Sequence, residues 1–442
     1  MKRGTANALA LAFAVAGCLI LSRGAIQLAS DRMKMAAATA TPAERLVPTF
    51  PSIPPTPLPW TPRPAATSTP IASVSPTPGT SRAPATPVNP SPAPTAVSAM
   101  PGGAVAAGPS VVPADPAVAP VVPAVTPMGP VASPGLDPGD VRWRFGAVDR
   151  LGALNSYAVE ALNAGWFLAG MEDGQVPPGT ELARIVDVHG GIVSPDDEAL
   201  SALVIAGPGS LWEIGNEPDV IWQSNSTPEQ YAHAYHHAYT LIKGADPTAR
   251  VAVGAVSQPT PLRLTYLDLV LEAYQDLFGE AMPVDVWAVH NSILREERNS
   301  WGVDIPPGIG ADTGRLYEIE DNDRLDIFQQ QIIDFRVWMR DRGYRDRPLY
   351  LTEFSVLMPA EYGFPPERVI AFMTGAFDFL LGAVDDELGY PADGNRLVQR
   401  WVWYSVADTD EPDHYPTGNL FDPETKEMTA VGRAFADYVA TH

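Results

Sequence analysis

Two glutamates, each closing an apolar run, are the residues of this chain best placed to do chemistry. Glu217 ends the run 211–217 (Leu-Trp-Glu-Ile-Gly-Asn-Glu) and Glu353 ends the run 349–353 (Leu-Tyr-Leu-Thr-Glu). Both runs have the composition of buried strands. If the two strands belong to one closed parallel barrel, their carboxyl ends share a cleft. Two carboxyl groups that face each other across a cleft can cleave a glycosidic bond.

Residues 141–442 alternate short β-rich runs with longer helical patterns, which predicts an α/β fold. The eight predicted strands span 142–148, 165–169, 182–188, 211–215, 250–256, 284–289, 348–353 and 400–405. Long helices are predicted at 228–244, 322–342 and 365–383. Eight strand-and-helix units are the number that closes a (β/α)8 TIM barrel. A doubly wound open sheet is the competing architecture, but no Gly-x-Gly-x-x-Gly follows the first strand.

The connections between the predicted strands carry two further signals. Helix starts are indicated at Ser194-Pro195, Thr227-Pro228 and Pro365-Pro366, where proline stands in the first turn with acidic residues behind it. The segment 291–321 is rich in glycine, proline and charge and is too long for a tight turn between strand and helix. We expect it to form a lid or a cleft wall that shapes substrate specificity.

Composition divides the chain of 442 residues into three parts. Residues 41–140 hold 27 of the 47 prolines and only seven charged residues. Proline lacks a backbone donor and fixes φ, so this stretch is expected to be an extended spacer without a core. The predicted organisation is a signal peptide or membrane anchor at 1–24, a disordered proline-rich linker at 25–140 and a (β/α)8 catalytic domain at 141–442.

The amino-terminal segment is typical of targeting sequences. Lys2 and Arg3 precede an apolar run that extends to Leu21. The only cysteine, Cys18, follows Val-Ala-Gly in a stretch that resembles a bacterial lipoprotein cleavage box, where its thiol would carry the lipid; an incidental cysteine is the open alternative. We therefore expect the protein to be extracellular and tethered to the cell surface, with this segment associated with the membrane. A single cysteine forms no intramolecular disulfide.

The charge of the chain limits its partners. The first 140 residues carry +3 of the formal net charge of −23, so residues 141–442 carry −26. Such a surface repels phosphate backbones and argues against a nucleic-acid partner. It suits a neutral ligand such as a carbohydrate, although an acidic shell that only maintains solubility explains it equally well. We expect a monomer.

The strand-end motifs resemble those of a known group, the retaining glycoside hydrolases of clan A. These enzymes place an Asn-Glu pair at the end of the fourth barrel strand and a lone glutamate at the end of the seventh, as at Asn216-Glu217 and Glu353. The stretch 212–218 is similar to families 39, 44, 51 and 79, the stretch 185–189 to family 5, and the stretch 351–354 to family 128. No single family is matched throughout.

The resemblance implies a role for each glutamate. Glu217 would be the general acid/base and Glu353 the nucleophile. Such a reaction needs one protonated and one ionised carboxyl group. Ionised Glu353 would raise the pKa of Glu217 by like-charge repulsion, and esterification of Glu353 would remove that repulsion. A carboxyl separation of about 5–5.5 Å would indicate retention of configuration.

Further substrate-binding residues are implied at the other strand ends. Asn216 would donate to the 2-hydroxyl of the sugar. Trp403 matches the tryptophan that stacks beneath the sugar in much of the clan, although Trp401 lies on the same side of the strand. His189 and His290, at the ends of the third and sixth strands, would contact substrate or nucleophile, or be ordinary wall residues. Arg144 on the first strand is a further candidate for the cleft, with a place in the core wall as the alternative.

Several competing interpretations follow from the same residues. Residues 216–219 (Asn-Glu-Pro-Asp) also suit the start of a helix. Glu213 shares the parity of Glu217 and is expected inside the barrel, paired with an arginine. Neither a metal nor an organic cofactor is expected, because the seven histidines are scattered. The alternatives to a glycoside hydrolase are a non-catalytic carbohydrate-binding barrel and a metal-dependent hydrolase.

Overall fold

Eight parallel strands form a barrel in the computed structural model, which describes residues 136–150, 152, 154–171, 175–409 and 416–442. The predicted signal or anchor segment, Cys18 and the linker up to residue 135 lie outside the described residues. Among the helices that the structure describes, none combines the length and the hydropathy needed to cross a bilayer. The described residues therefore cover the segment that is predicted to form the barrel.

The order of the strands confirms the (β/α)8 barrel. The strands are β1 (Phe145–Asp149), β2 (Trp166–Ala169), β3 (Glu181–His189), β4 (Ile192–Ser194), β5 (Leu211–Ile214), β6 (Arg250–Val253), β7 (Trp287–His290), β8 (Leu349–Phe354) and β9 (Arg400–Trp403). Strand β4 is a short antiparallel partner of β3, and the other eight follow the order β6-β5-β3-β2-β1-β9-β8-β7. Parallel bridges between Ala252 and Val286 and between Val256 and Val289 close the ring between β6 and β7.

Helices cover the outside of the barrel unevenly. They are α1 (Asp197–Ala206), α2 (Pro228–Ala245), α3 (Pro261–Phe278), α4 (Leu325–Asp341), α5 (Pro366–Gly382) and α6 (Ala430–Thr441). Thr227 caps α2 as the sequence predicts, whereas α1 is capped by Asp196 rather than Ser194. The prediction that a helix follows every barrel strand is wrong for the first two strands, β1 and β2. Strand β1 is followed by two 3₁₀ turns, and no helix occurs among the described residues between β2 and β3.

Strand parity divides the apolar residues into two layers. Alternate side chains of a strand point to opposite faces. The outward side chains pack against the helices in one large cluster that includes Trp401 and Trp403. A smaller cluster inside the barrel includes Trp166, Tyr350 and Val402. The barrel is thus filled by side chains, and only its ends are open for chemistry.

Buried ion pairs link the strands near the amino end of the barrel. Glu181 bonds to Arg250, and its other oxygen lies 2.6 Å from Nη1 of Arg400, which in turn packs over the ring of Trp166. Each of these three charged side chains is at most 5% exposed. Buried charges persist when they are paired in this way, and the loss of one partner is costly. The loss of any one of these three charged side chains should therefore destabilise the barrel.

The carboxyl ends of β5 and β6 approach each other closely beneath Glu217. Gly254 follows β6, and a Cβ atom at this position would collide with the carbonyl oxygen of Ile214 and lie 2.7 Å from that of Gly215. Glycine is the residue that permits backbones to approach this closely. The spacing of the two strands, and with it the position of the segment that carries Glu217, depends on this contact.

We predict that Gly254→Ala destabilises the protein by about 1–3 kcal/mol, because the added methyl group overpacks the junction of β5 and β6. Gly244 lies in the last turn of α2, where an added methyl group would meet nothing within 4 Å, so Gly244→Ala should leave the stability unchanged or raise it slightly. Urea unfolding of both variants measures the difference. Equal stability of the two would contradict the close contact.

Candidate active site

Three ionisable side chains converge at the carboxyl end of the barrel. Glu217 follows β5, His290 ends β7, and Glu353 lies in β8. Nδ1 of His290 is 2.9 Å from Oε1 of Glu217 and 3.6 Å from Oε2 of Glu353. An oxygen of each carboxyl group and the ring nitrogen all lie within 4.8 Å of one another. The structure thus brings the two sequence-predicted glutamates together, with a histidine between them.

The backbone at Glu217 has an uncommon conformation. Its φ is 44°, in the left-handed region that non-glycine residues seldom adopt, and it follows Gly215 at φ 81°. Ser224 fixes this turn, because its hydroxyl donates to the carbonyl of Asn216 at 2.6 Å and accepts from the Asn216 amide at 3.1 Å. Strained backbone held by its surroundings is found preferentially at functional sites. The turn presents the Glu217 carboxyl group, 13% exposed, to the cleft.

The alternative role of residues 216–219 as a helix start is wrong. The chain after Glu217 forms turns, and helix α2 begins at Pro228. Asn216 instead lies beside the acid with its side-chain oxygen buried and without a hydrogen-bond partner among the described residues. Buried polar atoms that lack a protein partner often have one in a ligand or an ordered water. Its predicted contact with the sugar stays a prediction.

Glu353 owes its environment to an irregularity of β8. The pairing of β8 with β9 shifts between Leu351 and Phe354, so the regular alternation of side chains is interrupted at Glu353. Burial raises the pKa of Glu353 to about 7; His290 opposes the rise and Glu217 adds to it. The role of nucleophile predicts a depressed pKa for this residue, and the structure gives the opposite direction. Removal of the carboxyl group from water outweighs the attraction of the histidine.

His290 is the cation of this cluster. Its side chain is fully buried, and its backbone amide donates to the carbonyl of Val256 at 2.9 Å. Burial alone lowers the pKa of a histidine, but the nearby charge of Glu353, the hydrogen bond to Glu217 and the charge of Glu213 raise the pKa of His290 to about 9. The imidazole is therefore protonated at neutral pH and faces both candidate catalytic carboxyl groups.

Glu213 lies inside the barrel, as predicted, but the prediction that an arginine pairs with it is wrong. One carboxyl oxygen accepts from the backbone amide of Ala255 at 3.0 Å and from the hydroxyl of Thr352 at 3.3 Å. The other oxygen is buried and has no hydrogen-bond partner among the described residues. Burial raises the pKa of Glu213 to about 7, although the charge of His290 opposes the rise.

The same three groups could hold a metal ion. Glu217, His290 and Glu353 form the one group of three or more potential ligands found among the described residues. Two carboxylates and an imidazole are a donor set that zinc accepts. However, the distance of 2.9 Å from Nδ1 to Glu217 is that of a hydrogen bond, so the side chains already satisfy one another.

Trp403, the predicted sugar platform, is placed in the core instead. It is fully buried, packs edge-on against Phe354 with ring centroids 5.3 Å apart, and donates from Nε1 to the carbonyl of Gly418 at 2.7 Å. Trp401 has the same outward parity and packs against Phe377. Neither ring reaches the cleft, because the odd-numbered residues of β9 face the helices.

Tyr404 is the cleft aromatic that the sequence reasoning missed. It has the inward parity of Val402, packs against the inner cluster, and its hydroxyl donates to Oδ2 of Asp408 at 2.8 Å. Burial and the charge of Asp408 raise the pKa of Tyr404, and the charge of Glu353 adds to this rise. The alternation of Arg400, Val402 and Tyr404 along β9 was the signal that could have identified it.

Arg144 does not point into the cleft. It stands at the amino end of the barrel, where Nη2 lies 2.7 Å from Asp393 and Nη1 donates to the carbonyl of Gln399 at 2.8 Å. Arg150, six residues later, follows the carboxyl end of β1, and its charge acts to lower the pKa of Glu353. Cleft residues of a parallel barrel follow the strands rather than start them, which is the rule that favours Arg150 over Arg144.

His189 lies on the rim of the site. It is exposed, and Nδ1 lies 3.0 Å from the carbonyl oxygen of Gln223, in the loop that follows Glu217. On the same face of β3, burial raises the pKa of Asp187, and the charge of His189 opposes this rise. The predicted contact of His189 with substrate stays a prediction.

The segment 291–321 is anchored beside the site. Arg263, on α3, is fully buried, bonds to Asp219, lies 2.9 Å from Oε1 of Glu296, and donates to the carbonyl oxygens of Val303 and Asp304. Asp219 is two residues beyond Glu217 and also accepts from the amide of Ser257. The segment was predicted to be either a lid or a cleft wall. These contacts favour the wall, because a lid that opens and closes would have few buried bonds to the barrel.

Comparison with known proteins gives similarity of structure and no match of sequence. No protein-family model matches the chain, and no curated protein matches it. Solved structures similar to it include a GH128 (subgroup II) endo-β-1,3-glucanase from Sorangium cellulosum, with 17% identity over 67% of this chain and 98% of that chain and a TM-score of 0.44.

Two other similar structures come from different organisms. One is a GH128 (subgroup III) curdlan-specific exo-β-1,3-glucanase from Blastomyces gilchristii, with 19% identity, 68% of this chain and 99% of that chain covered, and a TM-score of 0.45. The other is a monomeric β-xylosidase from Caulobacter crescentus, with 14% identity, 69% and 68% coverage, and a TM-score of 0.44. At these levels of similarity the likeness assigns no activity to this chain.

Proposed function

We propose that this protein is a glycoside hydrolase that cleaves β-linked sugars with retention of configuration. The observation that carries the proposal is the closeness of the Glu217 and Glu353 carboxyl groups, whose oxygens lie within 4.8 Å of each other at the carboxyl end of the barrel. Retaining enzymes hold their carboxyl groups about 5–5.5 Å apart, whereas inverting enzymes need about 6.5–9.5 Å to admit a water.

The proposed reaction has two steps. In the first, Glu217 donates its proton to the glycosidic oxygen while the Glu353 carboxylate attacks the anomeric carbon, so that the sugar becomes an ester of Glu353 and the leaving alcohol departs. In the second, Glu217 accepts a proton from water, which attacks the same carbon and releases Glu353. Protonated His290 stabilises the carboxylate that leaves in this step.

The substrate class and the setting of the reaction are parts of the same proposal. A β-linked polysaccharide or oligosaccharide is supported by the resemblance of the strand-end motifs and by the acidic surface, which suits a neutral ligand. Asn216 is assigned to the 2-hydroxyl of the sugar and Tyr404 to its apolar face. The protein would act as a monomer outside the cell, held by its amino-terminal segment through the proline-rich linker.

We predict that Glu353→Gln abolishes turnover but leaves sugar binding largely intact, because the amide keeps the shape of the side chain and cannot form the ester. The wild-type chain, incubated with a panel of activated 2-fluoro glycosides, should gain the mass of one sugar on the peptide that contains Glu353. Glu217→Ala should lower kcat about 10²–10⁴-fold, which is the usual contribution of a general acid.

The matched control is Glu272→Gln, which replaces an exposed glutamate on α3. Turnover by Glu353→Gln at the rate of this control would overturn the proposal. An adduct on Glu217 would exchange the two roles. Binding of sugars without any adduct or turnover would favour the carbohydrate-binding alternative, and activity that is lost with EDTA and restored by zinc would favour a metal-dependent hydrolase.

We also predict that kcat/KM rises with pH on the acid side with an apparent pKa near 7. Glu353 must be ionised to attack, and burial raises its pKa to about 7, so the active fraction falls about tenfold per pH unit below that value. Initial rates between pH 4.5 and 8, with circular dichroism at each pH to exclude unfolding, measure this limb. A rate that is constant from pH 4.5 to 7 would show that Glu353 ionises at an ordinary pKa.

A further inference from the structure

Glu213 is a third buried carboxyl group close to the catalytic pair, and the proposed reaction gives it no role. Its side chain is fully buried within the barrel. A buried ionisable group without a counter-ion of its own is costly, so its retention needs a reason. The structure offers no arginine or lysine partner to Glu213 among the described residues.

The contacts of Glu213 locate its carboxyl group next to the ring of His290. The carboxyl oxygen reaches Ala255, just beyond β6, and Thr352, in β8. Strand β7 lies between these two strands, and His290 projects from it into the barrel. The Glu213 carboxyl group therefore connects the chain beyond β6 with β8, which are the two neighbours of β7, and it does so on the inner side of His290.

Two atoms at this place are unmatched. Nε2 of His290 and Oε2 of Glu213 are both buried, and neither has a hydrogen-bond partner among the described residues. Nδ1 of the same ring is already directed at Glu217 and Glu353. A protonated imidazole has two N–H donors, so the second donor needs an acceptor on the inner side of the site. Oε2 of Glu213 is a buried acceptor of the required kind.

We propose that Glu213 is a positioning residue, whose carboxylate accepts the hydrogen bond of Nε2 of His290 through one bridging water. This inference rests on the proposed function for its consequence in catalysis. The bond fixes the ring, so that Nδ1–H stays directed at the catalytic carboxyl groups. When Glu353 becomes an ester and loses its charge, Glu213 is the carboxylate that keeps His290 protonated for the second step.

The charges around His290 support this assignment. From β5 and its following loop, the charges of Glu213 and Glu217 act on the ring, and from β8 the charge of Glu353 does so. Each of the three acids raises the pKa of His290. Glu213 differs from the other two because no step of the reaction protonates or esterifies it.

The variant Glu213→Gln separates positioning from a structural role. Glutamine fills the same space and keeps an oxygen for Ala255 and Thr352, but it carries no charge and presents an amide donor to Nε2. A merely structural Glu213 predicts a variant that resembles the wild type. The proposal predicts a fall in kcat of about tenfold or more with KM changed less than about twofold, as expected for the loss of a charge-assisted hydrogen bond.

Nitrogen-15 NMR of the histidine rings tests the same contact without reference to turnover. In the wild-type chain, the signal assigned to His290 by its loss in His290→Asn should show Nε2 protonated at pH 7 and titrate near pH 9. In Glu213→Gln this titration should move to lower pH. A His290 signal with unprotonated Nε2 in the wild type would overturn the proposal, and this measurement does not depend on the folding of the variant.

Glu181→Gln is the matched control, because Glu181 is also a buried glutamate inside the barrel but lies at its other end, bonded to Arg250 and Arg400. It should leave kcat and the His290 titration unchanged even if it lowers stability. Equal effects of the two variants would overturn the positioning role. If the wild type hydrolyses no glycoside, the proposed function fails, while the NMR result still decides the contact between Glu213 and His290.

Discussion

The attraction between one buried imidazolium and three carboxyl groups is the interaction on which this site depends. Two unit charges 4 Å apart attract by about 4 kcal/mol at an effective dielectric constant of about 20. Several such attractions together exceed the cost of burying the charge of His290, which is why its pKa rises in spite of full burial. The positive charge of His290 also limits the rise in the pKa of Glu353 that burial causes. The site is therefore a small electrostatic unit rather than two independent acids.

The barrel supplies this unit with residues from elements that are distant in the chain. Strand β5 and its turn carry two of the acids, β7 the histidine, and β8 the third acid. Two local departures from regular strand structure orient the carboxyl groups of Glu217 and Glu353. One is the left-handed turn at Glu217, fixed by Ser224, and the other is the register shift that changes the parity at Glu353. Regular strands alone would not direct both carboxyl groups to the same place.

Sequence patterns predicted the barrel and the pair of facing glutamates because the residues that indicate both stand in short local motifs. Eight β-rich runs and a glutamate at each of two strand ends can be read without knowledge of long-range contacts. The bounds of helix α3 were not predicted, although its buried Tyr266 and Tyr274 lie eight residues apart on one face. The first two units lack the expected helices because short 3₁₀ turns and loops cover that side of the barrel.

The errors within the site have a common cause. Trp403 was assigned from its resemblance to the clan and Arg144 from its place on the first predicted strand, whereas the parity of β9 and the direction of β1 decide where those side chains lie. Tyr404 and Arg150 follow the strands at the mouth of the barrel and were overlooked for the same reason. The partner of Glu213 was beyond sequence reasoning, because it depends on which strands are neighbours in space.

The anchoring of segment 291–321 limits how this protein can be re-engineered. Arg263 connects α3, the turn after Glu217 and the segment itself. A loop transplanted from another barrel in place of 291–321 would remove Glu296 and leave the guanidinium with one partner fewer in a dry environment. Exchange of this wall therefore has to include α3 and the Asp219 turn as one module. The structural unit to exchange in this barrel is a three-part block, not a loop.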